Sequence, residues 1–317
     1  MAPADLIKRW LAAALRQMRR QLNTVRLPSS LSSINRLPIL TPEATAQKIA
    51  QLLQSDTPFL LSRLGTTETQ LINELASGLV TSSTRSKISA LSGVFPTDKQ
   101  NLEHFASIYE TALTNVDLLA VRDEPIEKSF WGGEKLVITR LGLKPILVPL
   151  EAIFPFNADP NWLRLLGGKK VLVILPFSRE VKSQHLRWDS LFLPENKFPD
   201  FELEVIESPQ FLSDHPDRQK FGSWAEGLRF LKEEVSKSRS EIALIGAGAL
   251  GLPIGYECKR IGMKVIHLGG ATQLLFGIMG RRWESDPAIS RIANNSWITP
   301  HIDEGFSYEA VEGGCYW

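Results

Sequence analysis

The stretch Glu241–Trp283, EIALIGAGALGLPIGYECKRIGMKVIHLGGATQLLFGIMGRRW, decides the fold class. A short apolar run, Ile242 to Ile245, meets Gly246, Gly248 and Gly251 in G-x-G-x-x-G spacing. A helical pattern then runs to Gly262, and a second apolar run, Val265 to Leu268, follows. This order predicts a β-α-β unit with a glycine-rich first turn. Such a turn lets backbone N–H groups approach a phosphate, and the helix N-terminus behind it adds partial positive charge. The same spacing equally serves a strand-to-helix turn packed too closely for side chains. A nicotinamide dinucleotide site wants an acid at the end of the second strand to hold the ribose. His267 stands there, followed by Leu268, Gly269 and Gly270, which disfavours NAD chemistry.

Working upstream, Gly167-Gly168-Lys169-Lys170 introduces VLVILP, a continuous apolar run of the kind a parallel strand buried on both faces carries. Further strands are predicted at Phe59–Ser62, Leu118–Val121, Pro145–Val148 and Leu203–Ile206, with amphipathic helices between them. Alternation along the whole body predicts an α/β fold, a Rossmann-like and mainly parallel sheet with helices on both faces. Pro42 opens the first helix of this body, and Thr67 with Gln70 has capping-box spacing at the next helix start. The body spans 42–317, and a proline-containing seam at 151–161 marks halves 42–160 and 161–317. Before it, residues 1–41 read as a basic amphipathic helix (Asp5–Leu22) and a Ser/Pro-rich linker. That helix suits either an anionic membrane surface or packing against protein. Beyond Trp283 the tail is irregular, yet rich enough in aromatics to fold back on the body.

Of 317 residues, 43% are hydrophobic and 22% charged, as in ordinary globular proteins, and a net charge of +1 leaves no nucleic-acid footprint. Cys258 and Cys315 stand far apart with no Cys/His cluster, so neither a structural zinc nor a disulfide framework is expected, and a reducing compartment fits. No run approaches the ~18 apolar residues of a membrane span.

Ligands of open α/β sheets bind outside the carboxyl ends of the strands. The residues following each strand are Arg63, Thr66 and Glu68; Arg122, Asp123 and Glu124; Ser178 and Lys182; the Gly246–Gly248 turn; and His267, Gly269, Gly270 and Gln273. Together they offer cations and glycine loops for phosphate, carboxylates for a metal or a general base, and neutral groups for sugar hydroxyls. No G-x-S-x-G elbow supports a hydrolase triad, and no G-x-x-x-x-G-K-[ST] loop supports a nucleotide triphosphatase. A nucleotide-sugar site fits the remaining parts.

IHLGGATQLLFGIMGRRW, with IGAGALGLPIGYECKRIG, PFSREVKSQ and the terminal VEGGCYW, resembles a bacterial family of polysaccharide biosynthesis assigned to the GT-D glycosyltransferase fold. The resemblance spans roughly 42–317. It implies a Rossmann-like glycosyltransferase domain that moves a sugar from a nucleotide sugar, a UDP-sugar, to a glycan or lipid-linked acceptor. It also implies a cytoplasmic place of action, at the inner face of the plasma membrane. Read together with the strand-end residues, the candidate catalytic groups are Glu68, Asp123 and His267. Arg63, Thr66, Ser178, Lys182, Gly246, Gly248, Gly269, Gly270 and Gln273 are expected around the donor. Founding members place Asp-x-Glu after Arg-x-Gly to hold a divalent metal, Mn²⁺ or Mg²⁺, on the diphosphate. Here the run is Arg63-Leu64-Gly65-Thr66-Thr67-Glu68. Glu68 keeps the metal position, while Thr66 stands where the aspartate is expected. Either Glu68 and another acid such as Asp123 hold the metal, or arginine and lysine neutralise the diphosphate, or the protein binds without catalysing.

Overall fold

Runs of apolar residues make the strands of this protein, and glycines and polar clusters end them. The computed structural model describes residues 33–34, 37–122, 128–157, 159–193 and 197–317. The strands are β1 (Ser33–Ile34), β2 (Leu37–Pro38), β3 (Leu60–Arg63), β4 (Leu118–Val121), β5 (Ile146–Pro149), β6 (Lys170–Leu175), β7 (Glu202–Glu207), β8 (Ile242–Ile245) and β9 (Lys264–His267). Strands β3 to β9 form one wholly parallel sheet in the order β5-β4-β3-β9-β8-β6-β7. The expected α/β architecture is therefore present.

Both faces of the sheet are covered, which is why its central strands are continuous apolar runs. Successive side chains of a strand point to opposite faces. Leu119, Val121, Leu172, Ile174, Ala243, Ile245 and Val265 accordingly join one core with helices Thr66–Ser77, Lys99–Leu113, Trp224–Val235 and Gly251–Arg260. Leu118, Ala120, Val171, Val173, Ile242, Leu244 and Ile266 join the other, with Ile49 and Leu53 of helix Pro42–Gln54 and Val181 of helix Ser178–His185. The tail closes this second core: Trp283, Ile289, Phe306, Val311 and Trp317 are all buried in it, as its aromatic content predicts.

Helix Pro42–Gln54 starts as expected, with Pro42 in the first turn and the Thr41 hydroxyl accepting from the Ala44 N–H at 3.2 Å. The next helix departs from expectation. It begins at Thr66 behind Gly65, which offers no side-chain cap, so the predicted Thr67/Gln70 capping box is not formed. Thr67 instead donates to Glu68, and Gln70 to Glu74 and Thr84.

Before Pro42, β1 and β2 pair antiparallel, Ile34 is buried, and the Leu40 N–H donates to the Leu147 carbonyl of β5 at 3.0 Å. The segment expected to be linker thus contributes to the body. The basic helix expected at 5–22 lies outside the described residues. Among the described residues no helix is long and apolar enough to cross a membrane.

The connectivity places the site. From β3 the chain steps outward through β4 and β5, then crosses to lay down β6 and β7, and returns through β8 so that β9 pairs with β3. Strands on the two sides of the expected 151–161 seam thereby enter one sheet. The order reverses between β3 and β9, whose last residues are Arg63 and His267. A crevice opens at such a switch point.

Candidate functional site

Outside the carboxyl ends of β3, β9, β8 and β6 lies a cleft of about 500 Å³. Its lining includes the cations Arg63, Lys87, Arg122 and Arg282 and the carboxylates Glu68 and Glu312, so cations outnumber carboxylates among the described lining residues. Each arginine is held differently.

Arg63 ends β3 and is half-buried. Its side chain crosses Gly269, where a Cβ would stand 3.4 Å from Arg63 Cδ, and Gly269 has φ +65°. Both features call for glycine there. Burial, with Arg122 nearby, lowers the pKa of the Arg63 guanidinium, which stays charged all the same. Among the described residues no carboxylate forms an ion pair with Arg63 and no acceptor takes its guanidinium protons.

Arg122 follows β4. Its N–H donates to Glu134 Oε2 at 3.0 Å, its guanidinium pairs with the other oxygen of the same buried carboxylate, and Nη2 donates to Thr66 Oγ1 at 2.8 Å. A forked contact of this kind fixes orientation as well as charge. Arg282 pairs with Glu312, donates to Cys315 Sγ at 3.2 Å and lies 4.9 Å from the Tyr316 ring centre. Lys87, on helix Ser82–Ser92, is exposed at the rim.

Glu68 sits in the first turn of its helix and is buried. Its carboxylate folds over Gly65, in space that any Cβ at residue 65 would occupy, and accepts from the Thr67 hydroxyl at 3.0 Å. The Gly65 N–H donates to the Tyr109 hydroxyl at 3.4 Å. Burial and the negative charge of Glu68 push the Tyr109 phenol far above its usual range, so it stays protonated.

The glycine-rich turn resolves into packing requirements. A Cβ on Gly246 would lie 2.6 Å from the Gly269 carbonyl and 2.9 Å from Thr272 Cβ, one on Gly251 would overlap His267 Nε2, and Gly248 has φ +51°. Gly246 and Gly248 nevertheless line the cleft, so their backbone is within reach of a ligand. His267 is buried, with Nδ1 sharing a hydrogen bond with Ser62 Oγ at 2.8 Å. Burial, reinforced by Arg63, pulls its pKa down to about 3, so the ring is neutral.

Several expected site residues have other employment. The Gln273 amide donates to the carbonyls of Ile278 at 3.3 Å and Tyr316 at 3.0 Å, so its N–H groups anchor the tail. Gly270 lines the cleft with the Tyr316 ring packed where its Cβ would be. The Ser178 hydroxyl is bonded to Glu207 and Lys182 is exposed on its helix, and the cleft lining includes neither. Outside that expected set, Trp283 is buried against Tyr316, and Trp297 donates to the Leu191 carbonyl at 2.7 Å. Asp123 lies outside the described residues. Sequence reasoning missed Tyr109, which occupies an ordinary apolar position of a helix face, and Lys87, which reads as a solvated helix charge.

A divalent cation is implied by the family resemblance, and the donor set tests it. Mg²⁺ and Mn²⁺ favour anionic oxygen ligands. Among the described residues no group of three or more His, Cys, Asp or Glu gathers anywhere. In the cleft, Glu312 is paired to Arg282, the Thr66 hydroxyl accepts from a guanidinium, and Glu68 alone offers a free carboxylate among the described residues. These groups do not fit such an ion.

Fold and cleft together define the class: a Rossmann-like α/β protein with a cleft lined by several cations at its topological switch point. No protein-family model matches the chain, and no curated protein matches it. It is similar to a structure described as a new glycosyltransferase (DUF1792) from Streptococcus sanguinis, with a TM-score of 0.46 and 10% identity over 85% of this chain and 96% of that one. A second similar structure is described as the highly conserved domain of unknown function 1792, with a distinct glycosyltransferase fold. It gives a TM-score of 0.42 and 12% identity over 85% and 93%. A selenomethionine form of that domain gives 0.37 and 11% over 72% and 83%. Likeness at this level carries no weight for chemistry, and what the cleft can do follows from its own side chains.

Proposed function

We propose that this protein is a glycosyltransferase of the GT-D type, moving a sugar from a UDP-sugar to a glycan or lipid-linked acceptor in cell-surface polysaccharide assembly. The observation that carries the proposal is Arg63. A guanidinium without a carboxylate partner among the described residues, at the switch point and beside a second arginine, calls for an anionic ligand, and the diphosphate of a nucleotide sugar supplies one. During transfer, charge builds on the departing diphosphate, where preorganised cations and backbone donors stabilise it more than they stabilise the ground state. In this reading Arg63, Arg122 and the backbone of the Gly246–Gly248 and Gly269–Gly270 turns, all on the cleft wall, stabilise that charge. Glu68, a carboxylate lining the cleft, takes the proton of the acceptor hydroxyl in this reading. His267, being neutral, serves as a hydrogen-bonding partner rather than a cation.

The test is transfer and hydrolysis of a panel of nucleotide sugars, followed for the wild type and for Arg63→Ala. Turnover of at least one donor is expected, with kcat/KM lower by about 10²–10³ in the variant, the usual cost of losing one charge-stabilising donor. Thr66 motivates a second reading, a nucleotide-sugar-binding or scaffold protein of the same fold. Tight donor binding with no turnover under any condition would establish that reading and overturn the enzymatic one.

A further inference from the structure

We infer that the cleft neutralises a diphosphate with guanidinium groups, Arg63 and Arg122, in place of a divalent metal ion; this deepens the nucleotide-sugar reading and rests on it. Three observations converge on Thr66. Its hydroxyl oxygen, the atom a metal would have to claim, already accepts a proton from Arg122 Nη2 at 2.8 Å. Arg122 cannot easily swing away, because its main-chain N–H and its guanidinium both hold the buried Glu134 carboxylate. Arg63 brings a second guanidinium to the same wall, crossing Gly269 with no ion-pair partner among the described residues.

Among the described residues, an incoming dication would meet the Arg63 charge, the Arg122–Glu134 pair and one carboxylate outside an ion pair, Glu68. A diphosphate would meet the Arg63 guanidinium, whose planar N–H fork matches its oxygens, and beside it the Arg122 guanidinium, held in place by Glu134 and Thr66. The closeness of the two arginines agrees with the lowered Arg63 pKa, to which Arg122 contributes after burial. The Thr66 hydroxyl keeps a hydrogen-bond acceptor for Arg122 without adding negative charge that would compete with the ligand for it.

Calorimetric titration of UDP and of inorganic pyrophosphate into the full chain, once in EDTA and once in Mn²⁺, tests the inference. Both ligands are expected to bind in EDTA, with affinity changed less than threefold by Mn²⁺. Arg63→Gln should weaken both at least tenfold in EDTA. Losing Arg122 alone would strand the Glu134 carboxylate and endanger folding, so the paired variant Arg122→Gln/Glu134→Gln is used, with the same tenfold loss expected. Binding that requires Mn²⁺ would overturn the inference and leave the nucleotide-sugar reading standing. Pyrophosphate binding in EDTA through both arginines, with no gain in affinity from the uridine, would support the inference and remove the nucleotide reading. No binding of either ligand in any condition would overturn both.

Discussion

A methyl group on residue 251 would collide with the His267 ring, and this single contact explains why the third glycine of the turn is glycine. Gly251→Ala is expected to destabilise the fold by about 1–3 kcal/mol, as overpacking of a close contact does, read as a shift in the urea unfolding midpoint. Unchanged stability would mean that the helix has slack against β9. His267 makes a second prediction at this scale. Its folded pKa, about 3, lies below the value of about 6.5 expected when unfolded, so acid favours the unfolded chain. The contribution is fully present above pH 6.5 and is lost as pH falls toward 3, at up to about 1.4 kcal/mol per pH unit. The slope of unfolding free energy between pH 4 and 6 should be shallower for His267→Asn than for the wild type, whereas equal slopes would place the ring in water. The G-x-G-x-x-G spacing was legible in the sequence, but the purpose of each glycine was not. What each excludes depends on Gly269, Thr272 and His267, residues that only folding brings near.

At the scale of elements, apolar runs and glycine breaks marked every strand of the parallel sheet to within a residue or two; the central strands are continuous apolar runs because they are buried on both faces, while edge strand β7 keeps polar residues. Strand order was not written in those runs. Collecting whatever follows each strand therefore grouped Ser178 and Lys182 with Arg63, although helix Ser178–His185 turns its first hydroxyl toward Glu207 and its lysine toward solvent. Lys182→Ala should accordingly change UDP affinity by less than twofold, and a tenfold loss in calorimetry would return that helix to the site. The first turn after β3 shows the opposite case. Arg63, Thr66 and Glu68 were singled out from sequence and do line the cleft. The partner that gives Thr66 its meaning, Arg122, lies 56 positions away and was seen only as a neighbouring cation.

For the whole molecule, the aromatic tail closes the second core and helps build the cleft, since Tyr316 packs on Gly270 and its carbonyl holds Gln273. A tail rich in tryptophan and tyrosine announced that it would dock, but not where. At the other end, the basic amphipathic pattern of residues 5–22 suits an anionic bilayer, where apolar burial and arginine attraction add. Deleting residues 1–25 should abolish sedimentation with anionic liposomes, while a full chain that never sediments would refute a membrane role. The central claim concerns the cleft itself: Arg63 is poised for the diphosphate of a nucleotide sugar. Its most direct test is the affinity of UDP for the wild type and for Arg63→Gln, measured side by side by calorimetry with folding checked by circular dichroism. The account predicts measurable binding by the wild type and a loss of at least tenfold in the folded variant; equal affinity in the two proteins would contradict it.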